Sequence, residues 1–177
     1  MASENSIVLS EGWQYAVAVA QIVGACAVVL GVIVAIVAII SNARTAKKSQ
    51  TARFLFESKS DLGFLEGHKA IRKIHESHQS FNKYAKGDDL TNDEAEDRRS
   101  IHYFLNFFER AAISIQHKTY DEAMLKKTLY SAAVKNYDIV EPFIKALREK
   151  FNSQTYYQEY EWLAKRWQKE PLKKKDR

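Results

Sequence analysis

A single cysteine, Cys26, stands among 177 residues, so neither an intrachain disulfide nor a Cys-based zinc site is available. Prolines number two and glycines six. That scarcity excludes collagenous and Pro/Gly-rich low-complexity classes and leaves few of the breaks an all-β protein needs at its turns. Basic residues are absent before Arg44, and the 32 residues between Glu11 and Arg44 carry no formal charge. From Val17 to Ile40 the only strongly polar side chain is Gln21. Helices are therefore the expected elements, and the uncharged run is expected to meet lipid.

A hydrocarbon core about 30 Å thick is crossed by roughly 20 helical residues, fewer than residues 15–41 supply. A secretory signal peptide would begin with basic residues and have a shorter apolar run, so an uncleaved anchor is expected. Glu4 and Glu11 precede the span, whereas Arg44, Lys47, Lys48 and Arg53 follow it. Positive flanks are retained in the cytoplasm, which predicts an N-terminus facing out and a C-terminal domain facing in. The same four cations would meet anionic headgroups, and Trp13 and Tyr15 would sit in the outer aromatic belt. The chain thus divides into an extracytoplasmic segment 1–14, a transmembrane helix 15–41, a basic stalk helix 42–60, a cytoplasmic bundle 61–169 and a basic tail 170–177.

Small residues recur along the span. Ala16, Ala20, Gly24, Ala27, Gly31, Ala35 and Ala38 follow one another at intervals of 4, 4, 3, 4, 4 and 3, which puts all seven on one helical face. Helices associate in bilayers by close backbone approach, and this stripe, set opposite Val23, Leu30, Val34 and Val37, predicts self-association. The alternative is that an Ala/Val-rich span makes such a stripe by chance. Packed copies would enclose a pore with Gln21 in its outer third and Ser41 and Asn42 at its inner mouth; the competing role for Gln21 is a helix-to-helix hydrogen bond.

The formal charge is +5, and removing Glu4 and Glu11 leaves +7 on residues 41–177. Absence of Gly and Pro from 32 to 62 predicts that the span continues as a helix through Arg53, Phe54 and Glu57. Phe64, Ile71, Ile74 and Phe81 predict a second helix ending in a hairpin loop at Gly87. Thr91 with Glu94 forms a capping box before the apolar positions Ile101, Phe104, Leu105, Phe108, Ala112 and Ile115. Thr119 with Glu122 reads as a second box. Asp138 with Glu141 reads as a third, with Pro142 in a first turn, or else as part of one continuous helix kinked at Pro142. Tyr156, Tyr160, Leu163 and Trp167 make the last apolar face. The fold class is all-α, a helical bundle.

No catalytic motif is present. Gly63, Gly67 and Gly87 match no phosphate-cradling spacing, no serine elbow occurs, and the one cysteine lies in the span, so neither enzyme activity nor a cofactor is expected. His68, His75 and His78 share a helix face without a completing carboxylate, and ordinary histidines are the expectation over a metal site. Glu109 and Arg110 are candidates for buried structural contacts. Near the C-terminus Tyr156, Tyr157, Tyr160, Trp162 and Trp167 interleave with Lys165, Arg166 and Lys169 and lead into Lys173, Lys174 and Lys175. Rings that stack bases beside cations that neutralise phosphates suit a single-stranded oligonucleotide or nucleotide. The alternatives are an amphipathic packing helix with a solvated tail, and a tail on lipid headgroups.

The stretches LNFFERAA (105–112), HKTYDEAML (117–125) and EPFIKALREKF (141–151) resemble an uncharacterised bacterial and phage family with one N-terminal span and a helical cytoplasmic domain. Proteins of this build also resemble membrane channel effectors of anti-phage systems, the Hailong type among them. That resemblance implies a partner nucleotidyltransferase whose oligonucleotide controls the effector; the span and its small-residue stripe set the expectation of a homo-oligomer in the bacterial inner membrane, with a tetramer as the working number. The expectation is a ligand-gated, ion-conducting homo-oligomer. The alternative is a non-conducting, membrane-tethered adaptor that recruits a cytoplasmic protein.

Overall fold

The computed structural model describes residues 11–172 and is all-helical over them, in the order α1 (Glu11–Ser60), α2 (Leu62–Glu76), α3 (Phe81–Lys86), α4 (Asn92–Gln116), α5 (Glu122–Lys150) and α6 (Gln158–Lys169). The chain falls into two units, Met1–Thr45 and Ala46–Arg177. The segment 1–10 and the cations Lys173, Lys174 and Lys175 lie outside the described residues.

In the first unit α1 presents every residue from Glu11 to Thr45 to its surroundings. It is the one described helix long and apolar enough to cross a membrane. Its asymmetry is one of size rather than polarity. At 3.6 residues per turn the seven small side chains fall within an arc of about 100°. The same geometry corrects the face expected to oppose them: Val23, Leu30, Val34 and Val37 flank the stripe, and Ile22, Val29, Ile33, Ile36 and Ile40 lie opposite.

The second unit closes a core of its own. α4 is its central helix, with Ile101, Phe104, Leu105, Phe107, Phe108, Ala111, Ala112 and Ile115 all buried. Rings form its interior: Phe64 packs on Phe104 at 5.2 Å and Phe107 at 4.4 Å, and Phe108 stacks on Tyr160 at 4.8 Å. The α1 residues Thr51, Leu55 and Ser58 are buried here, and Phe54 stacks on Phe107 at 4.8 Å. α2 approaches α4 so closely at Gly67 that a Cβ there would meet the Ser100 carbonyl oxygen and lie 2.6 Å from Phe104 Cβ.

The helix ends depart from expectation in three places. Phe81 does not belong to the second helix. α2 stops at Ser77, where His78 turns left-handed at φ 54 and Gln79 N–H returns to the Ile74 carbonyl at 3.1 Å. The same 6→1 return ends α4 at Lys118 and α5 at Asn152, also without glycine, so a glycine-poor chain breaks its helices more often than its composition suggests. The second capping box is absent: Asp121, not Thr119, caps α5, its carboxylate accepting Met124 N–H at 3.0 Å. An aspartate two residues closer to the apolar run satisfies the same orphan donors. No third cap forms, because α5 continues through Pro142, the continuous-helix alternative. The Thr91–Glu94 box is present, with both reciprocal bonds made.

Candidate functional site

The candidate surfaces are three: the small-residue face of α1, the C-terminal aromatic and basic segment, and a cleft at the C-terminal end of α1.

On α1, Gly24 and Gly31 have nothing within 4 Å of where a Cβ would stand, and Ala16, Ala20, Ala27, Ala35 and Ala38 are exposed with them. Gln21 lies about 90° round the helix from the centre of this stripe, on the same side as Gln14 one heptad earlier. Arg44, Lys48 and Arg53 are exposed and Lys47 is partly covered. Arg53 Nε donates to Glu57 Oε1 at 2.7 Å in an exposed i,i+4 pair. Such a pair adds a few tenths of a kcal/mol and fixes little.

At the C-terminus the bundle absorbs most of the rings. Tyr160 and Trp167 are fully buried, Tyr160 donating to the Ala133 carbonyl at 2.8 Å and the Trp167 indole donating to Glu122 Oε1 at 3.1 Å. Tyr157, expected as a stacking ring, is buried, with its hydroxyl 2.6 Å from His102 Nδ1. Its left-handed backbone, φ 54, starts α6 and turns the ring inward. Trp162 remains half-buried with the Arg166 guanidinium 5.7 Å over its face. Arg166 forks onto Glu122 at 2.8 and 3.3 Å, and Lys165 pairs with Glu161. Lys169 is exposed in the last turn of α6. The apolar period of Tyr160, Leu163 and Trp167 is thus a packing face, and the cations above it are largely neutralised.

Half-buried polar groups here serve structure. Glu109 caps α6 from α4, accepting Tyr160 N–H at 2.7 Å and Glu159 N–H at 3.3 Å, and burial pushes its carboxyl above the usual range despite those bonds. Burial pushes Glu122 up as well, but the bonds from Arg166 and Trp167 outweigh it and hold the carboxyl below its usual range. Burial, with Arg98 nearby, pushes His102 down to about 4. Among the described residues no three His, Cys, Asp or Glu side chains gather to hold a metal ion.

The cleft went unnoticed in the sequence, because its walls come from segments far apart in the chain. Phe54, Glu57 and Ser58 of α1, Asp61 at the start of α2, Tyr103, Phe107 and Arg110 of α4, and Tyr120 of the α4–α5 loop enclose about 270 Å³. The loop is held by Asp121 N–H donating to Thr51 Oγ1 at 2.8 Å, and Tyr120 packs on Phe54 at 5.0 Å. Tyr103 donates to Asp61 Oδ2 at 2.9 Å. The signal available was the offset of 54, 57 and 58, a helical face on the stalk segment, followed at once by the capping Asp61.

Residues 25–167 match the family described as a domain of unknown function (DUF4760). No curated protein and no solved structure matches the chain. With most of its length matched, the chain belongs to that family.

Proposed function

We propose that this member of the DUF4760 family is a single-span membrane protein whose spans self-associate into an ion-conducting oligomer regulated by its helical domain. The observation that carries the reading is on α1: its stretch 12–43 is uncharged and exposed on every side, with Gly24 and Gly31 open to close approach, in a chain whose other unit buries a complete core. Water cannot solvate that surface favourably, since about 25 cal/mol is lost for each Å² of apolar area exposed. Lipid on the bulky Ile/Val side and a second copy on the small side answer both halves of it.

The basic residues after the span support an N-out orientation with the helical domain in the cytoplasm, and a bacterial inner membrane fits that asymmetry. Gln14 and Gln21, next to the packing stripe rather than in it, are where polar groups lining a lumen would stand. A role in anti-phage defence extends this reading to the cell: a conducting oligomer released by infection would depolarise it.

A second reading is a membrane-tethered adaptor that conducts nothing. It is favoured by the burial of Tyr157, Tyr160 and Trp167, which leaves the C-terminal segment poorly suited to oligonucleotide stacking. Recording from full-length protein in planar bilayers separates the two. Discrete conductance that Gly24→Leu with Gly31→Leu abolishes is the expected result; a silent, verified oligomer favours the adaptor.

A further inference from the structure

The cleft between Phe54 and Arg110 has an unbalanced interior. Asp61 accepts from its own cap partner, Phe64 N–H at 3.1 Å, and from Tyr103. Glu57 is engaged by Arg53. Arg110 has no carboxylate partner among the described residues: its Nε donates to the Asn106 carbonyl at 3.3 Å, and it meets Asp61 only through the Tyr103 hydroxyl. Asp61 also lacks a counter-ion, but each of its carboxylate oxygens already accepts a hydrogen bond, so the group left to meet an ionic guest is the Arg110 guanidinium, whose planar fork suits carboxylate or phosphate.

The remaining walls are rings. Phe54 and Phe107 stack at 4.8 Å, Tyr120 tilts against Phe54, and Tyr103 is 41% exposed at the rim. Offset or edge contact with rings favours a planar guest. A volume of about 270 Å³ is at the small end for ligand sites, which limits the guest to one ring system with its substituent and leaves no room for a polynucleotide chain.

We propose that this cleft binds a small planar aromatic anion, its ring against Phe54, Phe107 and Tyr120 and its charged group on Arg110. The inference rests on the reading of the helical domain as the regulatory part of a membrane protein, and it moves the ligand away from the C-terminal segment. A guest here would touch the last turns of α1 and the middle of α4 together. If one arrangement of those helices holds it more tightly, its binding shifts the population toward that arrangement.

The anionic group can be a phosphate or a carboxylate, so the test uses one probe of each. Full-length protein in detergent is titrated by calorimetry with AMP and with indole-3-acetate, and with adenosine and indole as their uncharged counterparts. At least one anionic probe is expected to bind, at least about tenfold more tightly than its neutral counterpart, since a charge-assisted bond contributes about 1.5–3 kcal/mol. Arg110→Gln should weaken it by about tenfold or more. Arg110→Lys should recover part of the loss, and Arg99→Gln, an exposed cation elsewhere on α4, should change binding less than about twofold. Binding by neither anion, or equal binding to wild type and Arg110→Gln, overturns the proposal. A chain that conducts but binds neither probe loses the cleft site and keeps the membrane function; one that binds but never conducts does the reverse.

Discussion

Gly67 shows how much of the fold can hang on one hydrogen atom. Nothing in its backbone calls for glycine; the demand comes from α4, whose Ser100 carbonyl and Phe104 Cβ occupy the space a methyl would need. Backbone cannot swing aside as a side-chain end can, so Gly67→Ala should destabilise the folded domain by about 1–3 kcal/mol, read as a lower denaturant midpoint. His102 makes a prediction in pH. Its half-buried ring packs edge-on to Phe143, with Tyr157 at Nδ1, and burial pushes it down to about 4 in the folded chain, below the ordinary 6.5. A depressed imidazole favours the neutral form when folded, and unfolding takes up a proton as soon as the pH falls below about 6.5. Stability is therefore fully present above 6.5 and falls between about 6.5 and 4, by up to about 3 kcal/mol over that window. His102→Gln should flatten the dependence of the unfolding midpoint on pH in that window, while an unchanged slope assigns the titration elsewhere.

At the scale of elements, a short polar side chain caps the starts of α2, α4 and α5, at Asp61, Thr91 and Asp121. Asp121→Ala should cost about 1 kcal/mol, the usual worth of a cap, whereas Thr119→Ala should stay within about 0.5 kcal/mol. Paired urea titrations distinguish these values, and the reverse order would restore Thr119 as the cap. The helices themselves were legible because the apolar period survives in their buried faces. Ile101, Phe104, Leu105, Phe108, Ala112 and Ile115 were expected in the core, and all are there. The break before Phe81 was not legible, since His78 takes a left-handed turn that glycine normally announces. The C-terminal rings were ambiguous for a different reason: a stacking platform and a packing face share one composition, and only burial separates Trp162 from Tyr160 and Trp167. The cleft was hidden because residues 54–61, 103–110 and 120 are distant in sequence.

For the whole molecule, the uncharged run between Glu11 and Arg44 carries the account. On the proposed packing, copies meet through Gly24, Ala27 and Gly31, while Cys26 lies about 130° round the helix from the stripe. Disulfides need Cβ atoms about 3.8 Å apart, so oxidative cross-linking reads out which face is shared. The most direct measurement uses full-length protein in the membrane fraction of the expressing cell, treated with a mild oxidant. Ala27→Cys in a Cys26→Ser background should give a cross-linked dimer, and the natural Cys26 should give little. Efficient cross-linking through Cys26 and none through Ala27→Cys would contradict the packing face, and loss of both from the membrane fraction would contradict the span itself.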